Sequence, residues 1–371
     1  MKIFFLALLF FLLPSPVYCG PNEKGGDWDE YQISRAKVLE VRTRKESGTV
    51  NDAGGTKILT VQLLSGPLKG QALQVPYPVA SHPGYNIRLR PADEVILTLK
   101  MNGNRIENAY FVEYGRDKKL FYLAALFFVL VVLMGGRRGI RSIVSLLLTG
   151  GAIFCLLLPL IFKGYDPIPT TVIVAAMVTA VTLVMIGGFS AKTLAAMIGT
   201  TGGVIVAGGL AFVVGTAACL TGFSDEEMQT LLFIPRQIDF DYRGILFAGM
   251  MIGALGAVMD VGMSIASAVE EIKKINPCLG AGALIRAGMN IGGDIVGTMS
   301  NTLILAYTGG AIPLLLVFMA YDTPLLRIIN LDAVATEVVR ALAGSVGIVL
   351  AIPITSFAAG ILFAWRKPGN S

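Results

Sequence analysis

Two hydrophobic patterns divide the chain, and they change over at Arg116-Asp117-Lys118-Lys119. Before that point, from about Tyr31 to Glu113, apolar residues come in short runs: AKVLEVR, KILTVQLL, QALQVP, EVILTLK and NAYFVE. Runs of this length, rich in Val, Leu, Ile and Tyr and separated by turn clusters, predict strands. The clusters are Asn51-Asp52-Ala53-Gly54-Gly55, Ser65-Gly66-Pro67 and Met101-Asn102-Gly103-Asn104. Five strands over 31–115 predict a small closed or partly open all-β barrel of the OB type. Such barrels host many functions, and no aromatic stacking platform is evident here, so the expectation is a docking or partner-contacting role.

After Lys119 the runs lengthen to those of membrane-spanning helices, at 120–135, 142–162, 167–188, 193–220, 244–268, 293–320 and 342–365. These seven spans predict a polytopic α-helical membrane bundle. The intervening stretch SDEEMQTLLFIPRQIDFDYRG, 224–244, is too polar to cross and reads as an external loop with room for an interfacial helix. At the other end, MKIFFLALLFFLLPSPVYCG has one charge at Lys2, an apolar run Ile3 to Leu13, a Pro14-Ser15-Pro16 break and Val17 and Cys19 at the −3 and −1 positions of a cleavage site. Its apolar run rises only about 16 Å, short of the roughly 30 Å hydrocarbon core, so a signal peptide is expected over an anchor. The expected organisation is therefore signal peptide 1–19, linker 20–30, extracytoplasmic β domain 31–115, two additional spans 120–162, a five-span core 167–365 and a tail 366–371.

Composition agrees with this division. The chain has 371 residues, 54% hydrophobic and 15% charged, where soluble domains carry roughly 25% charge. Its mean hydropathy is +0.69. The net charge of +5 comes from single basic residues and short groups flanking the spans, which excludes a nucleic-acid partner and assigns the charge a topological use. With the β domain outside, Arg137, Arg138, Arg141, Lys192, Lys273, Lys274, Arg286, Arg366 and Lys367 fall inside, and Lys163, Arg236, Arg243, Arg327 and Arg340 fall outside. This bias places the C-terminus in the cytoplasm.

The residues for enzyme chemistry are missing. Four cysteines, Cys19, Cys155, Cys219 and Cys278, form no CxxC spacing or disulfide framework, and His82 is the single histidine. No nucleophile with a base, metal cluster or phosphate loop is found, so neither an enzyme nor a cofactor is expected. What remains is polar chemistry inside the spans. Asp260 and Asp294 are the two carboxylates there, and an ionised carboxylate near mid-bilayer costs at least about 2.5 kcal/mol, which makes each a functional candidate. Asp260 shares a helical face with Met263, Ser264 and Ser267; a purely structural buried carboxyl is its other reading. Asp294 lies near the start of its expected span, where capping is an equal alternative. Asp294, Thr298, Asn301, Thr302 and Thr308 form a polar stripe. The Asn301 amide requires partners that lipid lacks, whereas Thr298 and Thr302 are expected to bond back to their own helix.

Small residues mark expected helix contacts: Gly199, Gly202, Gly203, Gly208, Gly209 and Gly215, then Gly253 and Gly256, then Gly293 and Gly297. Glu337 and Arg340, three apart before the last span, predict an interfacial ion pair.

The barrel strands ending in LLSGPLKGQ, the span GALGAVMDVGMSIASAVEEI and the stretch GMNIGGDIVGTMSNTLILAYTGG resemble the YibE/F family of bacterial membrane proteins, over nearly the whole chain. The second half is also similar, in order of elements, to the membrane core of RND permeases and SecD/SecF subunits: an inward span with an intramembrane Asp260, the charged turn Glu270-Glu271-Lys273-Lys274, an amphipathic segment Cys278 to Asn290, and two further spans. The spans at 120 and 142 are extra to that unit. The resemblance implies a proton-coupled transporter or export-assisting permease of the bacterial inner membrane, with Asp260 as relay alongside Ser264, Asp294, Thr298, Asn301 and Thr302. It further implies a homodimer or paired membrane subunit in the lipid bilayer, with a small-molecule or polypeptide substrate. The competing expectation is a non-transporting scaffold or signalling protein that uses its external β domain.

Overall fold

The computed structural model describes residues 31–44, 56–66, 68–78, 89–102, 105–224, 226–233 and 240–365. The expectations for the signal peptide, the linker 20–30, Cys19, His82, the turns at 51–55 and 103–104, part of the 224–244 loop and the tail 366–371 lie outside these residues. The chain divides into two units, one reaching Leu130 and the other beginning at Val131.

In the first unit all five expected runs are strands: β1 (Tyr31–Arg44), β2 (Thr56–Leu63), β3 (Ala72–Pro78), β4 (Glu94–Asn102) and β5 (Arg105–Tyr114). They form one antiparallel sheet in the order β3-β2-β1-β4-β5. The length of β1 explains its central place: residues 31–37 pair with β4 while residues 36–44 pair with β2. Side chains alternate across a strand, so one face collects Ala36, Val38, Leu59, Val61, Leu63, Val75, Tyr77, Val95, Leu97 and Leu99 into a closed core. Irregular register at Val38/Glu40 in β1 and at Ile96/Leu97 between β4 and β5 bends the sheet. The edge strands meet through Tyr77 and Phe111, whose rings stand edge to face at 5.3 Å, and the sheet is curled into a half-barrel.

The helices are α1 (Asp117–Phe162), α2 (Pro167–Gly187), α3 (Ala191–Ala217), a short α4 (Glu226–Leu231), α5 (Tyr242–Ile275), α6 (Ala281–Gly310), α7 (Ile312–Ala320), a short α8 (Leu325–Ile329) and α9 (Asp332–Ala364). Their starts carry the side chains that satisfy free N–H groups. Asp166 accepts from Ile168 N at 3.0 Å, Ser190 from Thr193 N at 3.2 Å, and Asp241 from Gly244 N at 2.9 Å. Between α5 and α6, Lys273 Nζ donates to the carbonyls of Pro277 (2.7 Å) and Leu279 (2.8 Å), closing the turn.

Among the described residues five helices are long and apolar enough to cross a membrane, or six when α6 and α7, bent by 57°, are taken as one span. When the bent pair is counted as one span, the number differs from the seven expected at α1, which takes in two of the expected runs. A straight helix of its length would rise about 69 Å, more than twice the hydrocarbon core. Gly136, at φ 52° and ψ −130°, leaves helical geometry between the runs expected as separate spans, a conformation open to a residue without Cβ. A second difference concerns α6, which starts at Ala281 and not near 293, so the expected amphipathic piece Cys278 to Asn290 is mostly the first part of one helix. Hydropathy marks where a helix becomes apolar, while the backbone bonds that begin it are indifferent to Arg286 and Asn290. Pro313 then sits in the first turn of α7, just after the bend.

α5 is the central helix, packed against α2, α3, α6 and α9. Its Met251, Ala254, Leu255, Val258, Val261, Ile265, Ala266 and Val269 are buried. The backbones of α3 and α9 approach closely: a Cβ on Gly203 would lie 2.8 Å from the Gly347 carbonyl oxygen, and one on Gly347 would lie 2.8 Å from that of Gly203.

Candidate functional site

With its large apolar residues turned inward, α5 presents the opposite of what lipid favours. Its outward stripe is Gly249, Gly253, Gly256, Asp260 and Ser264, followed by Glu271 near the helix end. The outward positions of the neighbouring helices differ in kind. They are Ile173, Met177 and Val181 on α2, Ile198, Ile205 and Phe212 on α3, and Leu342, Val349, Phe357 and Ile361 on α9. Those faces suit hydrocarbon, whereas the α5 face does not.

The polar stripe of α6 lies outward as well. Arg286, Asn290, Gly293, Asp294, Gly297, Thr298, Asn301, Thr302 and Thr308 are all exposed, while Leu284, Gly288, Gly292 and Leu303 turn inward. An added Cβ on Gly288 would meet Ser356 Oγ, and one on Gly344 would meet Leu303 Cδ2, so the inward face of α6 rests on α9. Two approaches fix α6 beside α5: a Cβ at Gly288 would lie 3.2 Å from Val269 Cγ2, and one at Gly253 would lie 2.5 Å from Tyr307 Oη. Interpolating along the regular rise between them, position 260 is level with about 297–300, and position 294 with about 263–266. The two carboxylates thus sit on one continuous face, about one helical turn apart in depth.

The sequence groups Asp260, Ser264, Asp294, Thr298, Asn301 and Thr302, and the structure brings these positions to that face. It does not join them by hydrogen bonds. Thr298 Oγ1 donates to the Ile295 carbonyl at 2.9 Å and Thr302 Oγ1 to that of Thr298 at 2.8 Å, so both hydroxyls are satisfied within α6. Among the described residues Asp260, Asp294, Asn290 and Asn301 hydrogen-bond to no side chain or backbone group. No hydrogen bond joins Asp260 to Asn301, Thr298 or Ser264. Asp294 stands in the fourth turn of α6, far from the helix start, so the capping alternative does not describe it.

The expected packing glycines separate into two groups. Gly202 and Gly203 are in contact across α3, with Ile354 and with Val258 and Gly347, and Gly253 lies under Tyr307. At Gly256, Gly293 and Gly297 an added Cβ would meet nothing within 4 Å. Glu337 Oε1 and Arg340 Nη1 are 2.8 Å apart, and the guanidinium lies 6.0 Å from the Tyr307 ring centre, at the end of the bundle where α9 starts.

Sequence reasoning missed two links. Thr221 donates from its hydroxyl (2.6 Å) and backbone N–H (3.3 Å) to Asp332, tying the chain after α3 to the start of α9. At the other end Glu270 forms ion pairs with Lys192 at 3.1 Å and Lys274 at 3.6 Å. Lys274 is legible as an i, i+4 partner, but Lys192 is 78 positions from Glu270 in the numbering and gives no local signal. Asn290 also went unremarked, although its exposed amide shares the face of Asp294. In the β unit, the Lys118 ammonium hydrogen-bonds Glu94, with Arg35 beside it, and holds the Glu94 carboxyl below its usual range.

The model of YibE/F-like proteins matches residues 123–365. The chain belongs to the YibE/F family. This YibE/F protein is, with its long apolar helices, an integral membrane protein. The matched residues take in the whole polar face and leave out the five strands, including LLSGPLKGQ, so the family likeness covers less of the chain than the sequence led us to expect. No curated protein and no solved structure matches it.

Proposed function

We propose that this YibE/F protein is a proton-coupled transporter or export-assisting permease of the bacterial inner membrane, with Asp260 as the proton relay. The observation that carries this reading is Asp260 itself: a carboxyl on the outward stripe of the central helix, in a span, with no hydrogen bond among the described residues. Hydrocarbon is a poor environment for such a group, so the stripe borders water or protein. A proton bound at Asp260 removes a charge from that border and turns an acceptor into a donor, changing which polar group it holds. Ser264 lies one turn along the same stripe, and Thr298 and Asn301 stand at a similar depth on α6. Asp294, about one turn further toward the α5–α6 turn, is the second carboxyl of the proposed path.

In this reading the β unit is extracytoplasmic and OB-like and the C-terminus is cytoplasmic, in keeping with the basic residues of the connecting loops. The RND-like order of elements belongs to the proposal and is supported by the sequence pattern alone. Neither an enzymatic step nor a cofactor is invoked. The substrate is a small molecule or a polypeptide.

The test requires no substrate. A hydrophobic carbodiimide modifies a protonated carboxyl in apolar surroundings, and the modified residue is located by mass spectrometry in native membranes. Modification of Asp260 near neutral pH that fades as the pH is raised is the expected result. Absence of modification at every pH in folded, accessible protein removes the relay.

One observation favours a second reading, in which the protein is a scaffold. On the outer face of the β unit Ile33 is 74% exposed, Tyr110 49% and Val112 48%. Ile33 pairs with Thr98, which pairs with Tyr110, so they line one surface across β1, β4 and β5. Under this reading Ile33→Asp impairs function and Asp260→Asn does not.

A further inference from the structure

We infer that a second copy of this chain covers the polar face of α5 and α6, and that each copy supplies the donors that the other's intramembrane carboxyls lack. Lipid offers neither donors nor acceptors to Asp260, Asp294, Asn290 and Asn301. The chain's other apolar runs, Ile3 to Leu13, 123–134 and Ile312–Ala320, contain no polar side chain and leave those groups as they are. The large outward residues of α2, α3 and α9 are Ile, Val, Leu, Met and Phe and do the same.

The face itself has what is missing. It carries two amides with N–H donors, Asn290 and Asn301, beside two carboxyl acceptors, and this mixture is self-complementary. Copies with the same topology associate about a two-fold axis along the membrane normal, which keeps equal depths opposite each other. Asn301 is level with about positions 256–259 of α5, so the partner's Asn301 comes within about a turn of Asp260. Asn290 and Asp294 are one turn apart on α6 and meet across the axis in the same way. The space to do this exists: at Gly249, Gly256, Gly293 and Gly297 an added Cβ meets nothing within 4 Å, so a second backbone has room to approach. Small residues permit the approach, and the unpartnered amides and carboxyls give it a driving force.

This inference rests on the membrane placement of the helices and not on proton transfer. It is tested in the full chain in native membranes, after Cys19, Cys155, Cys219 and Cys278 are replaced by Ser. Gly256→Cys and Gly297→Cys are introduced singly on the polar face, and Ile173→Cys and Ile205→Cys on apolar faces as collision controls. Oxidative cross-linking is expected to give an adduct of twice the chain mass, several-fold more from the polar-face variants than from the controls. Yields equal to the controls, or an adduct of a different mass, overturn the inference. As a second measurement, the Cys-free protein in lipid nanodiscs is expected as a dimer and Gly256→Trp as a monomer of unchanged helix content; a monomeric parent also overturns it. Asp260→Asn keeps a hydrogen-bonding side chain, so it should lose the carbodiimide signal and retain the Gly256→Cys adduct, and the two proposals therefore fail separately.

Discussion

Asp260 is an unusual residue because of what surrounds it, not because of its type. The fully buried apolar residues of α5 are turned away from it, and the exposed positions that share its stripe are glycines and Ser264. Replacing it with Asn preserves size and hydrogen bonding while removing ionisation, so under the proposed relay Asp260→Asn should assemble at wild-type yield and melting temperature in detergent yet lose the carbodiimide modification. A clear fall in melting temperature would return Asp260 to a structural role. At Glu94 the physics is that of a surface charge. Lys118 favours the ionised carboxylate, so the folded-state pKa lies below the unfolded one. The contribution of this group to stability is then complete above the ordinary Glu range and is lost as pH falls through the lowered value. Amide hydrogen exchange in β1 and β4 should accelerate over that acidic interval, and Glu94→Gln should flatten the change.

Glycine has opposite meanings on different elements. On α3 a Cβ at Gly203 would press on Val258, Ala351 and the Gly347 carbonyl, and backbone cannot move aside. Gly203→Val should therefore destabilise the bundle by about 1–3 kcal/mol or more, read as a lowered melting temperature by fluorescence-detected size exclusion. On α5 the open position at Gly256 has no such neighbour, and Gly256→Val should change the stability of one chain by less than about 0.5 kcal/mol. If both substitutions cost the same, the distinction between packed and open glycines is wrong. From sequence the two sets look alike, because a small residue at helical spacing permits close approach without saying to what. The strands were easier to read. Alternation places Leu59, Val61 and Leu63 on one face and their neighbours on the other, and that pattern is local.

For the whole molecule, the two units have separate cores among the described residues, one of ten buried residues in the β sheet and two clusters within the helical unit. The β unit has the closed apolar core that independent folding requires, so a fragment spanning 28–116 should be soluble and show a single cooperative thermal transition by circular dichroism. A fragment that aggregates or melts without cooperativity would mean that the strands depend on the helices. The family match covers the helical unit and stops short of the strands, which agrees with treating the two as separable modules.

Hydropathy and periodicity alone determined that this chain has five strands followed by long apolar helices, that two carboxylates lie within those helices, and that α6 carries a polar stripe. Each of these follows from the spacing of side chains along one segment, which is a property of the segment itself. Only the tertiary structure decided that α5 is central, that its large residues face inward, and that Asp260, Asp294, Asn290 and Asn301 share one outward face. In a membrane helix nearly every position is apolar, so composition does not distinguish a side that touches lipid from a side that touches protein. That choice is made by the fit of α5 against α2, α3, α6 and α9, through contacts between residues far apart in sequence.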